Sequence, residues 1–204
     1  MSSTSPVKSL IEAGRRFYGR NWVLATSGNF SAVVSPSPLR LCITRSGAHK
    51  GTLTPRDFLT IDGSARPVGR TSARPSAEAR LHLEIVRARK AGAVLHTHSV
   101  WSTMLSEHHA ADGGLALQGF EMLKALEGVT THTHREWVPI VENDQDMARL
   151  ADGVAGVLTE HGDAHAFLLR GHGLYTWGRT VAEAERHVEA LEFLLETVGR
   201  RSQM

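Results

Sequence analysis

The order of short apolar runs along the chain constrains the fold more than any other feature of the sequence. Three β-rich runs, "NFSAVV", "LRLCIT" and "DFLTID", follow one another between Asn29 and Asp62 and are separated by Gly, Pro and Ser. Later runs, "AVLHTH", "VPIV" and "AFLLRGHGLYTWG", alternate with helical patterns. Strands that first cluster and then mix with helices predict an α/β layered domain with a mostly antiparallel sheet.

Capping residues and the spacing of apolar side chains predict six helical segments. They begin at Ser5 and Pro6, at Ser76, near Ser99, over "FEMLKAL" (120–126), at Asp144 and at Thr180. In the last segment, Thr180 and Glu183 fit a capping box. A seven-residue apolar repeat follows at Val181, Ala184, Val188, Leu191, Leu195 and Val198.

Length and composition predict one globular domain over residues 1–204, with a sizeable core. The 23 basic and 21 acidic residues are scattered, so no basic block indicates a nucleic-acid or membrane partner. Cys42 is the single cysteine, which excludes a disulfide framework, and no secretory segment or run of about 18 apolar residues occurs. We therefore expect a cytoplasmic protein, and small anionic substrates remain possible.

Two histidines, His96 and His98, follow directly on the apolar run 93–95. Alternation along a strand sends both imidazoles to one face, which suits a metal ion, although histidines at a strand end can also simply bond loop carbonyls. His172, between Gly171 and Gly173, is the best candidate for a third ligand because glycines allow a close approach. The pair His132 and His134 repeats the same spacing, so a second metal site stays open, ranked below the first.

Two carboxylates and three polar segments are candidates for the remaining chemistry. Glu78 is expected in a first helical turn, and Glu121 in a helix; each is either a solvated helix residue or a metal ligand or general acid/base. The segments "TSGNFS", "RSGAHKG" and "RPSAE" offer hydroxyl and backbone N–H donors of the kind that bind phosphate. Their candidate residues are Ser27, Gly28, Asn29, Ser46, Gly47, Lys50 and Ser76.

Taken in order, these segments resemble the class II aldolase superfamily from about Leu10 to Leu195. The resemblance rests on "ATSGNFSAVV", "ITRSGAHKGTLTPRDFL", "PSAEARLH", "GAVLHTHSV", "FEMLKAL", "VPIVENDQD" and "RGHGLYTWGR". It implies a three-layer α/β/α fold around a mostly antiparallel sheet, and one catalytic zinc ion per subunit bound by His96, His98 and His172. It also implies a homotetramer whose sites lie near subunit boundaries.

Within this superfamily, "FEMLKAL" is typical of a dehydratase branch, whose members remove water from a phosphorylated ketose. In that branch Glu121 would be the acid/base residue and Glu78 a secondary candidate. One departure from the aldolases supports this branch: they commonly carry Ser-Ser-Glu where this chain has Ser76, Ala77 and Glu78.

Two other functions compete with a dehydratase. A sugar-phosphate aldolase or epimerase would use the same metal to stabilise an enediolate, and a non-catalytic binding domain of the same fold would need none of the three histidines. Three imidazoles also accept iron, cobalt, nickel or copper as well as zinc.

Overall fold

The computed structural model describes residues 5–201, which contain five α-helices and eight β-strands. The helices are α1 (Pro6–Gly19), α2 (Ala79–Arg89), α3 (Val100–His108), α4 (Met147–Glu160) and α5 (Val181–Arg201). The strands are β1 (Asn29–Pro36), β2 (Leu39–Thr44), β3 (Phe58–Asp62), β4 (Ala93–Thr97), β5 (Gly114–Gln118), β6 (Arg135–Val141), β7 (Ala166–Leu169) and β8 (Gly173–Gly178). Within this part of the chain, no helix is both long and apolar enough to cross a membrane.

The strands form one sheet in the order β3-β2-β1-β4-β8-β7-β6-β5. All neighbouring strands are antiparallel except β6 and β7, which are parallel, so the predicted mostly antiparallel sheet is confirmed and is mixed in detail. Because β4, β6 and β7 run in the same direction, their last residues, Thr97, Val141 and Leu169, lie at one end of the sheet. We call this the histidine end.

Helices cover both faces of the sheet, which gives the three-layer arrangement that the resemblance implies. On one face, α2 and α4 pack through buried Leu81, Ile85, Leu150 and Val154 against strand residues that include Phe167. On the other face, α1, α3 and α5 pack in two apolar clusters. Removing apolar side chains from water, at roughly 25 cal/mol per Å², is the main force that holds these layers together.

The apolar repeat of α5 lies in this second layer, as predicted. Its members are buried except Val198, which is partly buried against the same core. Only half of the predicted capping box forms: the Thr180 hydroxyl accepts a bond from the Glu183 N–H at 3.1 Å, whereas the Glu183 carboxylate bonds Arg179. The repeat therefore marks a core helix.

Three predicted helices differ from the structure, two in where they begin and one in its type. Helix α2 begins at Ala79, because the Ser76 hydroxyl bonds only the Glu78 N–H, at 3.4 Å, and Glu78 takes the N-cap position. Helix α4 is capped by Asp146, whose carboxylate accepts the N–H groups of Ala148 and Arg149, while Asp144 bonds the Asp146 N–H and Arg149 instead. "FEMLKAL" forms a short 3-10 helix (Glu121–Ala125).

Candidate active site

Three histidine side chains converge at the histidine end of the sheet. The Nε2 atoms of His96 and His98 lie 2.8 Å apart, and the Nε2 atom of His172 lies 3.3 Å from the first and 3.1 Å from the second. Three imidazole nitrogens on a tetrahedral zinc ion, each at about 2.0–2.1 Å, would lie about 3.3 Å apart. The structure thus gives the three predicted ligands a spacing that fits a divalent metal ion.

The protonation of these rings also suits a metal ion. The Nδ1 atom of His96 donates to the Leu174 carbonyl at 2.9 Å, which leaves a lone pair on Nε2. Burial, together with the neighbouring imidazoles, lowers the pKa of His96 well below its usual value, and burial lowers the pKa of His98 to about 3. Both imidazoles are therefore neutral near pH 7, the form that binds metals.

Strand geometry and two glycines bring the histidines together. His96 and His98 point to one side of β4, while Thr97 points to the other and donates to the buried Glu192 of α5 at 2.5 Å. His172 lies in the turn between β7 and β8, where Gly171 has a positive φ of 62°. A Cβ at Gly173 would lie 2.1 Å from the Thr97 carbonyl oxygen, so only glycine lets β8 approach β4 this closely.

Glu78 lies against the histidine cluster. Its Oε1 atom is 3.2 Å from the Nε2 of His172, and its Oε2 atom is 3.6 Å from the Nε2 of His96. Oε2 also accepts a short hydrogen bond from the Asn29 side chain. The N-cap position of α2 therefore turns this carboxylate toward the histidines and not, as in an ordinary first helical turn, toward solvent.

Glu121 lies at the opposite end of the sheet. Strand β5 runs antiparallel to β6, so its last residue, Gln118, pairs with Arg135 at the start of β6 and not with Val141 at the histidine end. Six residues of strand separate these two positions on β6, which is about 20 Å. The Glu121 side chain is 69% exposed and pairs with Lys124 and His132. Within one protomer the structure does not bring Glu121 to the histidines.

A cavity of about 340 Å³ opens beside His98, His172 and Glu78. All seven predicted phosphate-binding residues line it: Ser27, Gly28, Asn29, Ser46, Gly47, Lys50 and Ser76. Sequence reasoning did not single out five further lining residues, namely Thr26, Arg45, Asn143, Gln145 and Met147. The last three follow β6, and only the parallel pairing of β6 with β7, which no local pattern reveals, places them at the histidine end.

Two glycine turns and one buried lysine shape the wall of this cavity. Gly28 and Gly47 have positive φ angles of 72° and 71°. The Lys50 ammonium is buried and donates to the carbonyls of Thr26 at 2.8 Å and Ala48 at 2.6 Å, so it ties the two turns together. Burial lowers the pKa of Lys50 to about 8. The lysine thus places positive charge behind a concave surface of polar groups, which is an environment for an anion.

The second H-x-H pair does not form a metal centre. His132 faces Glu121, whereas His134 bonds the buried Glu136 at 2.9 Å. Within residues 5–201, the cluster of His96, His98 and His172 is the one group with metal-ligand spacing.

Comparison with known proteins agrees with this fold. Residues 8–198 match the model of the class II aldolase and adducin N-terminal domain. The chain belongs to this family. It is 50% identical over 193 residues to a methylthioribulose-1-phosphate dehydratase of Methylococcus capsulatus, which covers 94% of this chain and 91% of that protein. It is 48% identical over 190 residues to a protein of the same name from Pseudomonas savastanoi, covering 92% and 90%.

Solved structures of the family have the same fold. An L-fuculose-1-phosphate aldolase from Thermus thermophilus superposes with a TM-score of 0.76 at 25% identity, covering 97% of this chain and 95% of that one. A second L-fuculose 1-phosphate aldolase superposes with a TM-score of 0.80 at 20% identity, covering 100% and 89%. The predicted three-layer fold is therefore confirmed.

Proposed function

We propose that this chain, as one catalytic domain, removes water from 5-methylthioribulose 1-phosphate to give 5-methylthio-2,3-dioxopentyl phosphate, a step of methionine salvage. The observation that carries the proposal is the cluster of three histidines opening into a cavity lined by donors for a phosphate. The identity of 50% to a protein named for this reaction supports the choice of substrate.

We propose zinc as the metal and His96, His98 and His172 as its ligands. Three imidazoles leave one coordination position open, as in other catalytic zinc sites. When bound, zinc would supply Lewis-acid polarisation of the C2 carbonyl, which acidifies the C3 proton. The bond from His96 Nδ1 to the Leu174 carbonyl holds that ring in the orientation a ligand needs.

The phosphate of the substrate would occupy the concave wall between the Gly28 and Gly47 turns. Ser46 and Ser76 line this space, and the Lys50 ammonium holds its two sides together. Anchoring the phosphate here places the carbonyl end of the ketose toward the histidines, because the phosphate groove, His98 and His172 line the same cavity. The bound phosphate thereby orients the reacting carbons, although the residues of the phosphate groove do not contact those carbons.

Dehydration needs a base for the C3 proton and an acid for the C4 hydroxyl. Removal of the proton and departure of the hydroxyl as water leave an enol between C3 and C4. Its ketonisation, with a proton added at C4, gives the second carbonyl. We assign the proton transfer at C3 to the Glu121 carboxylate, and protonation of the leaving hydroxyl to the same group or to a water beside it.

Because Glu121 lies far from the histidines of its own chain, the role proposed for it calls for a second copy of the chain. Its carboxylate lies at the sheet end opposite the histidines and is exposed, as an arriving residue must be. Exposed apolar side chains accompany both regions: Val100 and Met104 lie on α3 directly after His98, and Met122 adjoins Glu121. We therefore propose a homotetramer in which each site combines one chain's histidines with a partner's Glu121.

The position of Glu78 supports a second candidate function. A carboxylate beside the histidines is suitably placed to move a proton during sugar-phosphate aldol cleavage or epimerisation. Ala77 lines the cavity where these aldolases commonly carry a serine, so their second serine hydroxyl is missing from the phosphate groove. For this reason the dehydratase ranks first.

The test is turnover by purified protein whose metal content has been measured. The proposal predicts diketone formation from 5-methylthioribulose 1-phosphate that stops when zinc is chelated and returns when zinc is restored. A parallel assay with L-fuculose 1-phosphate should show no cleavage. Zinc-loaded protein that ignores the first substrate and cleaves the second would replace the dehydratase with an aldolase.

A further inference from the structure

A continuous chain of buried hydrogen bonds connects strand β1 to Glu78. The Ser31 hydroxyl lies 2.7 Å from the Nδ1 atom of His82, and the Nε2 atom of His82 makes a short hydrogen bond to the Asn29 Oδ1 atom. The Asn29 Nδ2 atom donates in turn to Glu78 Oε2. Ser31, His82 and Asn29 are at most 4% exposed. None of these bonds belongs to the proposed chemistry, so they call for a reason of their own.

Sequence spacing produces this arrangement. Asn29 and Ser31 are two residues apart on β1, so both point to the same face of the sheet. Glu78 and His82 are four residues apart at the start of α2, so they lie one helical turn apart on one side. Where α2 crosses β1, the two pairs meet and His82 bonds both strand residues.

Because Glu78 is a carboxylate, it determines which group donates and which accepts in each hydrogen bond from Glu78 to Ser31. A carboxylate only accepts hydrogen bonds, so Asn29 must present its NH₂ group to Glu78 and its carbonyl oxygen to His82. The Nε2 atom of His82 must then carry a proton. Burial lowers the pKa of His82 to about 3, so the ring is neutral, its Nδ1 is bare, and the Ser31 hydroxyl donates to it.

We propose that His82 is a positioning residue that fixes, through the Asn29 amide, the orientation of the Glu78 carboxylate beside the three histidines. Without the Nε2–H of His82, the buried Asn29 oxygen loses its donor, and only the bond from the Asn29 NH₂ group to Glu78 still holds the amide. Leaving a buried acceptor unpaired is costly, so the amide shifts toward another donor and its bond to Glu78 weakens. His82 therefore acts on the site without touching substrate or metal.

The experiment compares three variants. His82→Leu removes the donor at similar volume, His82→Gln retains an N–H donor, and Ile85→Ala removes a buried apolar side chain of α2 outside the hydrogen-bond chain. Mutation of a residue that supports a metal site from its outer shell typically lowers activity by about tenfold to a hundredfold. We expect His82→Leu to lower kcat by that factor with KM changed less than about twofold, and His82→Gln to restore most of kcat. Ile85→Ala, although destabilised, should keep the wild-type kcat.

The proton position is measured separately by ¹⁵N NMR of the histidine rings in metal-free protein. We expect His82 to carry its proton on Nε2 and to have a bare Nδ1. A proton on Nδ1, or equal kcat values for His82→Leu and Ile85→Ala in active protein, would overturn the assignment. The kinetic comparison rests on the proposed function and the NMR measurement does not. A wild-type protein without turnover would therefore contradict the function and leave His82 to be decided by NMR.

Discussion

At the scale of single residues, burial determines what each charged or polar group of the site can do. His96 and His98 are kept neutral by burial and are therefore ready to bind a metal ion. Lys50 is 1% exposed, and its ammonium is held by two carbonyls of the turns that shape the cavity. Its contribution should therefore appear in substrate affinity and much less in the chemical step.

We predict that Lys50→Met raises KM for the phosphorylated ketose by about tenfold to a hundredfold, because hydrogen bonds to a charged group contribute roughly 1.5–3 kcal/mol. Methionine keeps an unbranched side chain one atom shorter than that of lysine and removes its charge. Steady-state kinetics of the folded variant checks this, with Lys8→Met on the exterior of α1 as the control. An unchanged KM would show that the lysine does not support the phosphate groove.

At the scale of elements, the local patterns predicted most of the strands and the face on which His96 and His98 lie. The position of Glu78 depended on where α2 begins, and Ser76, the predicted cap, does not mark that start. The sequence carried a usable signal for the hydrogen bonds at Glu78. Asn29 and Ser31 have the two-residue spacing of one strand face, and Glu78 and His82 have the four-residue spacing of one helix face. That signal becomes visible only once α2 and β1 are known to be neighbours.

The contact between β4 and β8 gives a prediction at this scale. Gly173→Ala would place a Cβ 2.1 Å from the Thr97 carbonyl oxygen, so the two strands must separate. We expect a loss of several kcal/mol of unfolding free energy and weaker metal binding. Gly156→Ala is the matched control: nothing lies within 4 Å of its Cβ in helix α4, so it should stabilise by about 0.5–1 kcal/mol. Equal unfolding free energies for both variants in urea would contradict this.

A buried ion pair between β6 and the residue preceding β7 makes stability depend on pH. Both ring nitrogens of His165 face acceptors, with Nδ1 3.0 Å from Glu136 and Nε2 2.8 Å from the Glu127 carbonyl. Burial opposes the charge of His165, but the hydrogen bond and charge of Glu136 outweigh it and raise the pKa of His165 above 6.5. Burial opposes the charge of Glu136 as well, yet its bonds to His165 lower the pKa of Glu136.

The sign of the effect follows from these directions. The His165 contribution is fully present below pH 6.5, the pKa of the unfolded chain, and is lost as pH rises through the higher folded pKa. Urea unfolding from pH 6 to about 9 should therefore show wild-type stability falling toward that of Glu136→Gln. The metal-binding histidines are common to both proteins and cancel in the difference. A constant difference across this range would contradict the ion pair.

At the scale of the whole molecule, sheet topology separates residues that the sequence motifs group together. The histidine motif and "FEMLKAL" belong to one resemblance, yet the direction of β5 puts Glu121 at the end of the sheet opposite His96. No local pattern reports strand direction, so the separation of Glu121 from the histidines within one chain could not be derived from the sequence. An assembly that joins opposite ends of neighbouring copies would reunite the two motifs.

This assembly predicts complementation between two inactive variants. Glu121→Gln should keep its zinc and lose turnover, while His98→Ala should lose most of its zinc. Because each proposed site combines histidines of one chain with Glu121 of another, tetramers randomised from equal amounts should recover about a quarter of wild-type activity. Mixed tetramers without activity, formed from variants that each fold and assemble, would show that Glu121 does not act across the boundary.

The central claim is that the site removes water from the ketose phosphate and leaves its carbon chain intact. The most direct measurement is product analysis by NMR after turnover of 5-methylthioribulose 1-phosphate in D₂O by zinc-loaded protein. We predict the 2,3-diketone phosphate with one solvent deuteron at C4, placed there when the enol ketonises. Dihydroxyacetone phosphate and methylthioacetaldehyde would show cleavage between C3 and C4, and would contradict the dehydratase in favour of an aldolase.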